Sequence, residues 1–282
     1  MSTRGNQFTQ FAETTFSASG ASGLYDRARP DYPQPAVDKL FSLLPKQGAI
    51  VELGSGTGLF SRMLLRDGRD GRLAKLHCVE PSKGMRQGFQ DKLDTANDID
   101  RSIKVDVVDG LFDQIPVEDK SADMVVAAQA FHWVGHDGRS AISEIARVLK
   151  PGGHAIFIWN LEDRSVGWVA KLRDLFEQYE GGTPQYRHGY WKTIYDTAEY
   201  NDNFDKHEVH TFKRGLPVTE DLAIDRVLSK SYITALDDDK KAKLTEQMRQ
   251  VLRDAEDKVI VDEKAGTFEY PYTTDMFVMK RR

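Results

Sequence analysis

The chain has 282 residues, 40% hydrophobic and 29% charged, with a formal net charge of −5. That length and apolar content bury a substantial core as one α/β domain with appendages, while the acidic balance argues against a nucleic-acid substrate, which would need a basic face. A single cysteine, Cys78, excludes an intramolecular disulfide; no apolar run reaches about 18 residues, and the start MSTRGNQFTQ has no apolar signal region, so the expectation is a cytosolic monomer, nuclear access left open, with no membrane partner.

Residues 1–23 are rich in Ser, Thr, Gly and Gln but carry Phe8, Phe11 and Phe16. Three phenyl rings are costly to leave in water, so part of this stretch is expected to fold over the domain and to order as a lid when ligand binds. Residues 25–33 follow as YDRARPDYP, with Tyr25 and Arg29. Next comes IVELGSGTG at 50–58: a short buried-strand pattern in which Glu52 is the only charge, then Gly54, Gly56 and Gly58, and then an apolar helical stretch with Leu59, Phe60, Met63 and Leu64. Glycines at alternate positions between strand and helix let a ligand touch bare backbone at a helix N-terminus. A dinucleotide fingerprint is G-x-G-x-x-G, but the sixth position from Gly54 is Leu59, which weakens a nicotinamide reading.

KLHCVE at 75–80 reads as a second strand ending in Glu80, about 20 residues past the glycines, where a carboxylate can accept both hydroxyls of a ribose. Met85, Phe89 and Leu93 follow at four-residue spacing. KVDVVDG at 104–110 reads as a third strand ending at Asp109 and Gly110, and DMVVAAQAFHW at 123–133 as a fourth with the ring-rich tip Phe131, His132 and Trp133. Ile142, Ile145, Ala146 and Leu149 mark a helix, then KPGG turns into the strand HAIFIW at 154–159. Strands alternating with helices imply parallel βαβ units whose ligand sits beyond the carboxyl ends, so Gly54, Glu80, Asp109, Gln129, Trp133, Trp159 and Asn160 are expected along one edge.

The spacing E-x-G-x-G-x-G, the acid after strand two, Asp109-Gly110 and the KPGG turn together resemble the class I methyltransferases that use S-adenosylmethionine. The lead-in resembles the Y-x-x-x-R-P-x-Y-P of trans-aconitate-methyltransferase-like and related fungal small-molecule enzymes, and the chain is similar in length and style to the fungal gliotoxin bis-thiomethyltransferase. The resemblance implies a Rossmann-like α/β sheet of seven strands, order 3-2-1-4-5-7-6 with the last strand antiparallel, and helical lid elements. Within one domain, 1–40 would be an N-terminal cover, 41–160 the cofactor-binding half and 161–282 the substrate side. It implies S-adenosylmethionine as cofactor, contacted by Tyr25, Arg29, Glu52, Gly54, Ser55, Gly56, Gly58, Glu80, Pro81, Met85, Asp109, Gly110 and Gln129. Alternatives stand beside several roles: Met85 packs on adenine or belongs to a core helix face; Arg29 grips the methionine carboxylate or is a surface arginine; Tyr25 covers the methyl group or simply packs.

Beyond Asn160 the pattern is less diagnostic. Helices are expected at 166–179, 219–230 and 240–258, a strand from His207 to Phe212, rings at Tyr186, Tyr190, Trp191 and Tyr195, and a last strand TFEYPYTTDMFVMK at 267–280. Methyl transfer from a sulfonium needs positioning more than acid–base help, so no Ser-His-Asp set or metal spacing is expected. His132, Tyr25 and Trp133 are the catalytic candidates, with His132 either a base or a shaper of the pocket. Phe11, Phe16, Phe131, Trp159 and Trp191 are the expected substrate walls. Rings with few cations favour S-methylation of a small dithiol metabolite such as reduced gliotoxin, with carboxyl O-methylation of an aconitate-like acid next. A nicotinamide oxidoreductase and a methyltransferase-like regulatory subunit are the rival classes.

Overall fold

A near-continuous apolar strand is the pattern of a sheet covered on both faces, and β4 (Ala122–Ala128) has it. Successive side chains alternate: Val125 and Ala127 enter one core layer, Met124, Val126 and Ala128 the other. In the computed structural model, which describes residues 28–68 and 70–282, this strand lies at the centre of one twisted sheet. Beside it run β1 (Gly48–Leu53), β2 (Leu73–Val79), β3 (Lys104–Val108) and β5 (Leu149–Glu162), all parallel. The last strand, β8 (Thr267–Lys280), inserts antiparallel between β5 and β6 (Glu208–Val218), and a three-residue strand, β7 (Ile260–Asp262), pairs with its beginning. The order β3-β2-β1-β4-β5-β8-β6 is therefore the expected seven-strand order, with β7 shifting only the numbering.

One face is covered by α1 (Gln34–Leu43), α2 (Leu59–Asp67) and α3 (Lys83–Thr95), through Leu40, Phe41, Phe60, Leu64, Phe89 and Leu93. The boundary expected at 40/41 falls inside α1, whose apolar face belongs to the main core. The other face carries α4 (Arg139–Val148) and a ring-rich layer. A third core gathers α5 (Gly167–Glu177), α7 (Glu220–Leu228), α8 (Ser231–Thr234) and α9 (Asp238–Arg253) against Phe268, Tyr270 and Tyr272 of β8, after the short α6 (Ala198–Asn201). Among the described residues no helix is long and apolar enough to cross a membrane.

Two expected element ends move. The fourth strand stops at Ala128; Gln129 takes a left-handed φ of 54°, and Phe131–Val134 winds into a 3₁₀ turn. KPGG lies within β5, opposite an irregularity in the β4 register, rather than ahead of it. The sheet order reverses between β1 and β4, and the cleft opens above that switch point.

The last motif glycine serves packing. Gly58 caps α2 at φ 77°, and a Cβ there would sit 2.2 Å from the Phe89 ring. Gly58→Ala should therefore cost about 2 to 4 kcal/mol, combining left-handed strain with overpacking. Urea unfolding checks this; an unchanged midpoint would mean that α3 shifts to admit the methyl.

Candidate active site

The turn after β1 and the turn after β2 are joined by one carboxylate. Glu80, 5% exposed, accepts the Gly56 N–H on Oε2 and the Ser82 N–H on Oε1, both at 2.9 Å. Burial pushes its carboxyl up and those two donors pull it back. Gly54 donates its N–H to Val79 O at 2.8 Å, and a Cβ on it would lie 2.6 Å from Ala130 Cβ. Gly56 differs: its nearest neighbour to such a Cβ is Met85 Sδ at 3.8 Å, so its bare backbone faces open space. The Ser55 hydroxyl beside it is buried, lines the cleft and has no hydrogen-bond partner among the described residues.

Glu52 alternates onto the α2 side of β1, where Ser61 donates its hydroxyl at 2.5 Å. Burial pushes its carboxyl up to about 8, the Ser61 bond resists, and Glu80 adds to the rise. The Cys78 thiol, equally buried, is pushed well up and is no nucleophile.

Of the expected site residues, Arg29, Glu52, Gly54, Ser55, Gly56, Glu80, Pro81, Met85, Gly110, Gln129, His132 and Trp133 line one cleft. Met85 heads the buried row with Phe89 and Leu93, as its core reading expects, and it also lines the cleft, with its sulfur near Gly56. Arg29 is half-buried, with Nη2 donating to Ser229 O at 3.1 Å. Five expectations are corrected. Gly58 packs on Phe89 and does not line the cleft. Asp109 turns outward, exposed, and pairs with Arg86 at 3.1 Å, because Arg86 already binds the carbonyls of Glu80 and Pro81 and draws the acid away. Phe131, Trp159 and Trp191 are fully buried in the ring layer: strand alternation aims Trp159 the same way as Phe157, and Phe131 stacks on Phe157 at 3.9 Å. Tyr25, Phe8, Phe11 and Phe16 lie outside the described residues.

His132 is buried at the cleft wall, and its Nδ1 accepts the Trp159 indole N–H at 3.1 Å. Burial first, then the charges of Arg29 and His188, push it down to about 3. An imidazole so placed is neutral and has already used its accepting nitrogen.

The other wall was not foreseen. It carries Glu162, Arg173, Glu177, Glu180, Arg187 and Lys230. Lys230 meets Glu162 at 2.8 Å, Arg173 meets Glu177 at 2.6 Å, and Glu180 holds both Arg187 and His188, the latter at 3.1 Å. Although burial favours protonation of Glu162, the Lys230 ammonium takes it down to about 2. A signal existed: Arg173 falls on the buried stripe of α5 between Val169, Leu172 and Phe176, where a charge needs a partner.

A family model described as a methyltransferase domain matches residues 51–157. An uncharacterized methyltransferase of Mycobacterium tuberculosis (strain ATCC 25618 / H37Rv) is 30% identical over 240 residues, 85% of this chain and 87% of that protein. The chain belongs to the methyltransferase family. An uncharacterized methyltransferase of Schizosaccharomyces pombe is similar too, 35% identical over 161 residues, 56% of this chain and 58% of that one. Among solved structures, a Haemonchus contortus phosphoethanolamine N-methyltransferase in complex with S-adenosylhomocysteine shares the fold, with TM-score 0.56 and 16% identity over 97% of this chain and 59% of that one. The methyltransferase cleft suits S-adenosylmethionine: the open side of Gly56, the unpartnered Ser55 hydroxyl, the buried Glu80 carboxylate and the Met85 thioether match its backbone-hugging, hydroxyl-bearing and flat parts.

Glu52 yields a pH test. Its folded carboxyl is pushed up to about 8, above the ordinary glutamate value near 4.5, so its contribution is fully present below about 4.5 and is lost as pH rises toward 8. Relative to Glu52→Gln, the ligand-free wild type should lose up to about 1.4 kcal/mol per pH unit across that window. Parallel urea titrations of the two proteins at a series of pH values would measure it, and a constant gap would refute a buried neutral Glu52.

Proposed function

We propose that this S-adenosylmethionine-dependent methyltransferase methylates the carboxylate of a small polar acid. The observation that carries the reading is that, among the described residues, the glutamates of the charged wall and the histidine of the wall facing them are already engaged as acceptors while donors are kept. Glu162, Glu177 and Glu180 each hold a cation, and His132 Nδ1 holds an indole N–H. Arg187 uses Nε and Nη2 on Glu180, and Lys230 gives one bond to Glu162, so an Nη1 group and ammonium hydrogens are left over among the described residues.

An acceptor here arrives already nucleophilic, which fits a carboxylate or a thiolate and disfavours an alcohol or a protonated amine that must first lose a proton. Leftover guanidinium and ammonium donors then favour the carboxylate. S-methylation of a dithiol rested on ring walls, and with Phe131, Trp159 and Trp191 in the core that support is gone. When bound, S-adenosylmethionine supplies a methyl group on a sulfonium that is displaced in line. The chain's own work is positioning: Glu80 would hold the ribose hydroxyls, Met85 the adenine face, Gly56 and Ser55 the methionine portion, and Arg29 its carboxylate, while Arg187 and Lys230 would orient the acid.

Incubation with methyl-labelled S-adenosylmethionine and a panel of dicarboxylates, trans-aconitate and small dithiols should give an ester that releases labelled methanol in alkali. Alkali-stable label on sulfur or nitrogen would overturn the carboxylate reading, and S-adenosylhomocysteine binding without turnover of any acceptor would favour a regulatory subunit. Arg187→Ala should raise the acceptor KM about tenfold with cofactor affinity unchanged, the scale of one charge-assisted bond. Glu80→Ala should instead weaken S-adenosylhomocysteine binding by about 1.5 to 3 kcal/mol in calorimetry. Unchanged affinity in a folded Glu80 variant would remove it from the ribose site.

A further inference from the structure

We propose that His132 is a hydrogen-bond donor to the acceptor acid, and that Trp159 holds it in the donating tautomer. The inference rests on the carboxylate reading above. An indole N–H can only donate, and Trp159 Nε1 donates to His132 Nδ1 at 3.1 Å. A neutral imidazole that accepts on Nδ1 carries its hydrogen on Nε2. Trp159 is in no position to release that bond: it is fully buried, stacked on Tyr186 with centroids 4.5 Å apart and against Trp191 at 4.6 Å. Tyr186 is itself fixed by donating its hydroxyl to Asp275 at 2.7 Å. The ring layer mistaken in the sequence for a substrate wall thus acts on the substrate through one side chain.

His132 lines the cleft just past the end of β4, and no group of the chain takes its Nε2–H among the described residues. A carboxylate has two oxygens. One uses a lone pair to form the new O–CH₃ bond as the methyl–sulfur bond breaks with its electron pair going to sulfur; the other accepts the Nε2–H. No proton changes hands, so the histidine need not titrate. Because the carboxylate loses charge as the ester forms, this bond is stronger before transfer than after it, and its removal should act on acceptor KM rather than on kcat.

The test uses the whole protein saturated with S-adenosylhomocysteine and labelled with nitrogen-15 at histidine. His132 should show a proton on Nε2 throughout about pH 5 to 8, and trans-aconitate or any acid that the enzyme esterifies should shift that signal. Trp159→Phe, which deletes the indole donor, should free the second tautomer. In turnover, His132→Leu should raise the acid's KM about tenfold at near-constant kcat, and His132→Gln, whose amide nitrogen can reach the Nε2 position, should recover most of the loss. A proton on Nδ1, an Nε2–H signal unmoved by an esterified acid, or equal loss in the leucine and glutamine variants would overturn the proposal. Label found on sulfur or nitrogen would instead remove the carboxylate reading, and the tautomer measurement would still decide whether Trp159 fixes the donor.

Discussion

The Glu80 carboxylate is the constraint on which the site depends. Two backbone N–H groups, from Gly56 and Ser82, converge on its two oxygens and tie the glycine turn after β1 to the capped start of α3 after β2. Without those donors a carboxylate this deeply buried would be too costly to keep, and without the carboxylate the two N–H groups at these helix starts would be orphaned. The bridge also settles what is presented to a ligand. Each oxygen keeps a lone pair, Gly56 keeps its open side, and α3 is set so that Met85 closes the gap opposite. The three motif glycines consequently do three jobs: Gly54 admits Ala130, Gly58 admits Phe89, and only Gly56 leaves room for a ligand.

The half up to Asn160 was legible because its constraints are local. A strand, a glycine turn, a helix and an acid about 20 residues on are short-range features; their alternation implied parallel βαβ units, and the strand order came from the family resemblance those motifs carry. Asp109 failed for a reason equally local but invisible to spacing: Arg86, one turn into α3, is anchored on two carbonyls and captures the acid. The ring walls failed because a strand tip was read as a convergence of all its side chains. Period two divides β5 instead, sending Phe157 and Trp159 to the ring layer and Asn160 to the cleft, where its side chain donates to Asp31 O and accepts from Thr274.

The half beyond Asn160 was less legible where its partners lie far apart in the chain. Lys230 meets Glu162 and Arg214 meets Asp31 across long separations, and no periodicity announces such pairs. The described part of the lead-in is braced in the same manner: Arg226 donates to Ala28 O and Arg29 to Ser229 O, so the segment entering the fold is held by α7 and the residue that follows it. What sequence does offer is a charge on an otherwise apolar stripe. Arg173 in α5 and Arg226 in α7 both occupy buried helix faces, and a buried guanidinium is a claim that an acid, a carbonyl or a ring lies within reach.

Those buried pairs are a poor source of stability, since desolvation of the Lys230 and Glu162 charges offsets most of their attraction. Their effect is on geometry. A pair fixed in a cleft wall leaves its surplus donors aimed in set directions, as the Trp159 indole does for the His132 imidazole, and such donors need no reorganisation when an anion arrives. Across the cleft two described candidates for a proton acceptor are held down: Glu162 on that wall to about 2 and His132 on the wall facing it to about 3. An acceptor that must shed a proton would have to do so in solution, before entry, and one that is already an anion enters a wall built of fixed donors. On the proposed carboxylate reading, the chemistry of the acceptor is therefore chosen less by the shape of the cleft than by which of its polar groups are already engaged.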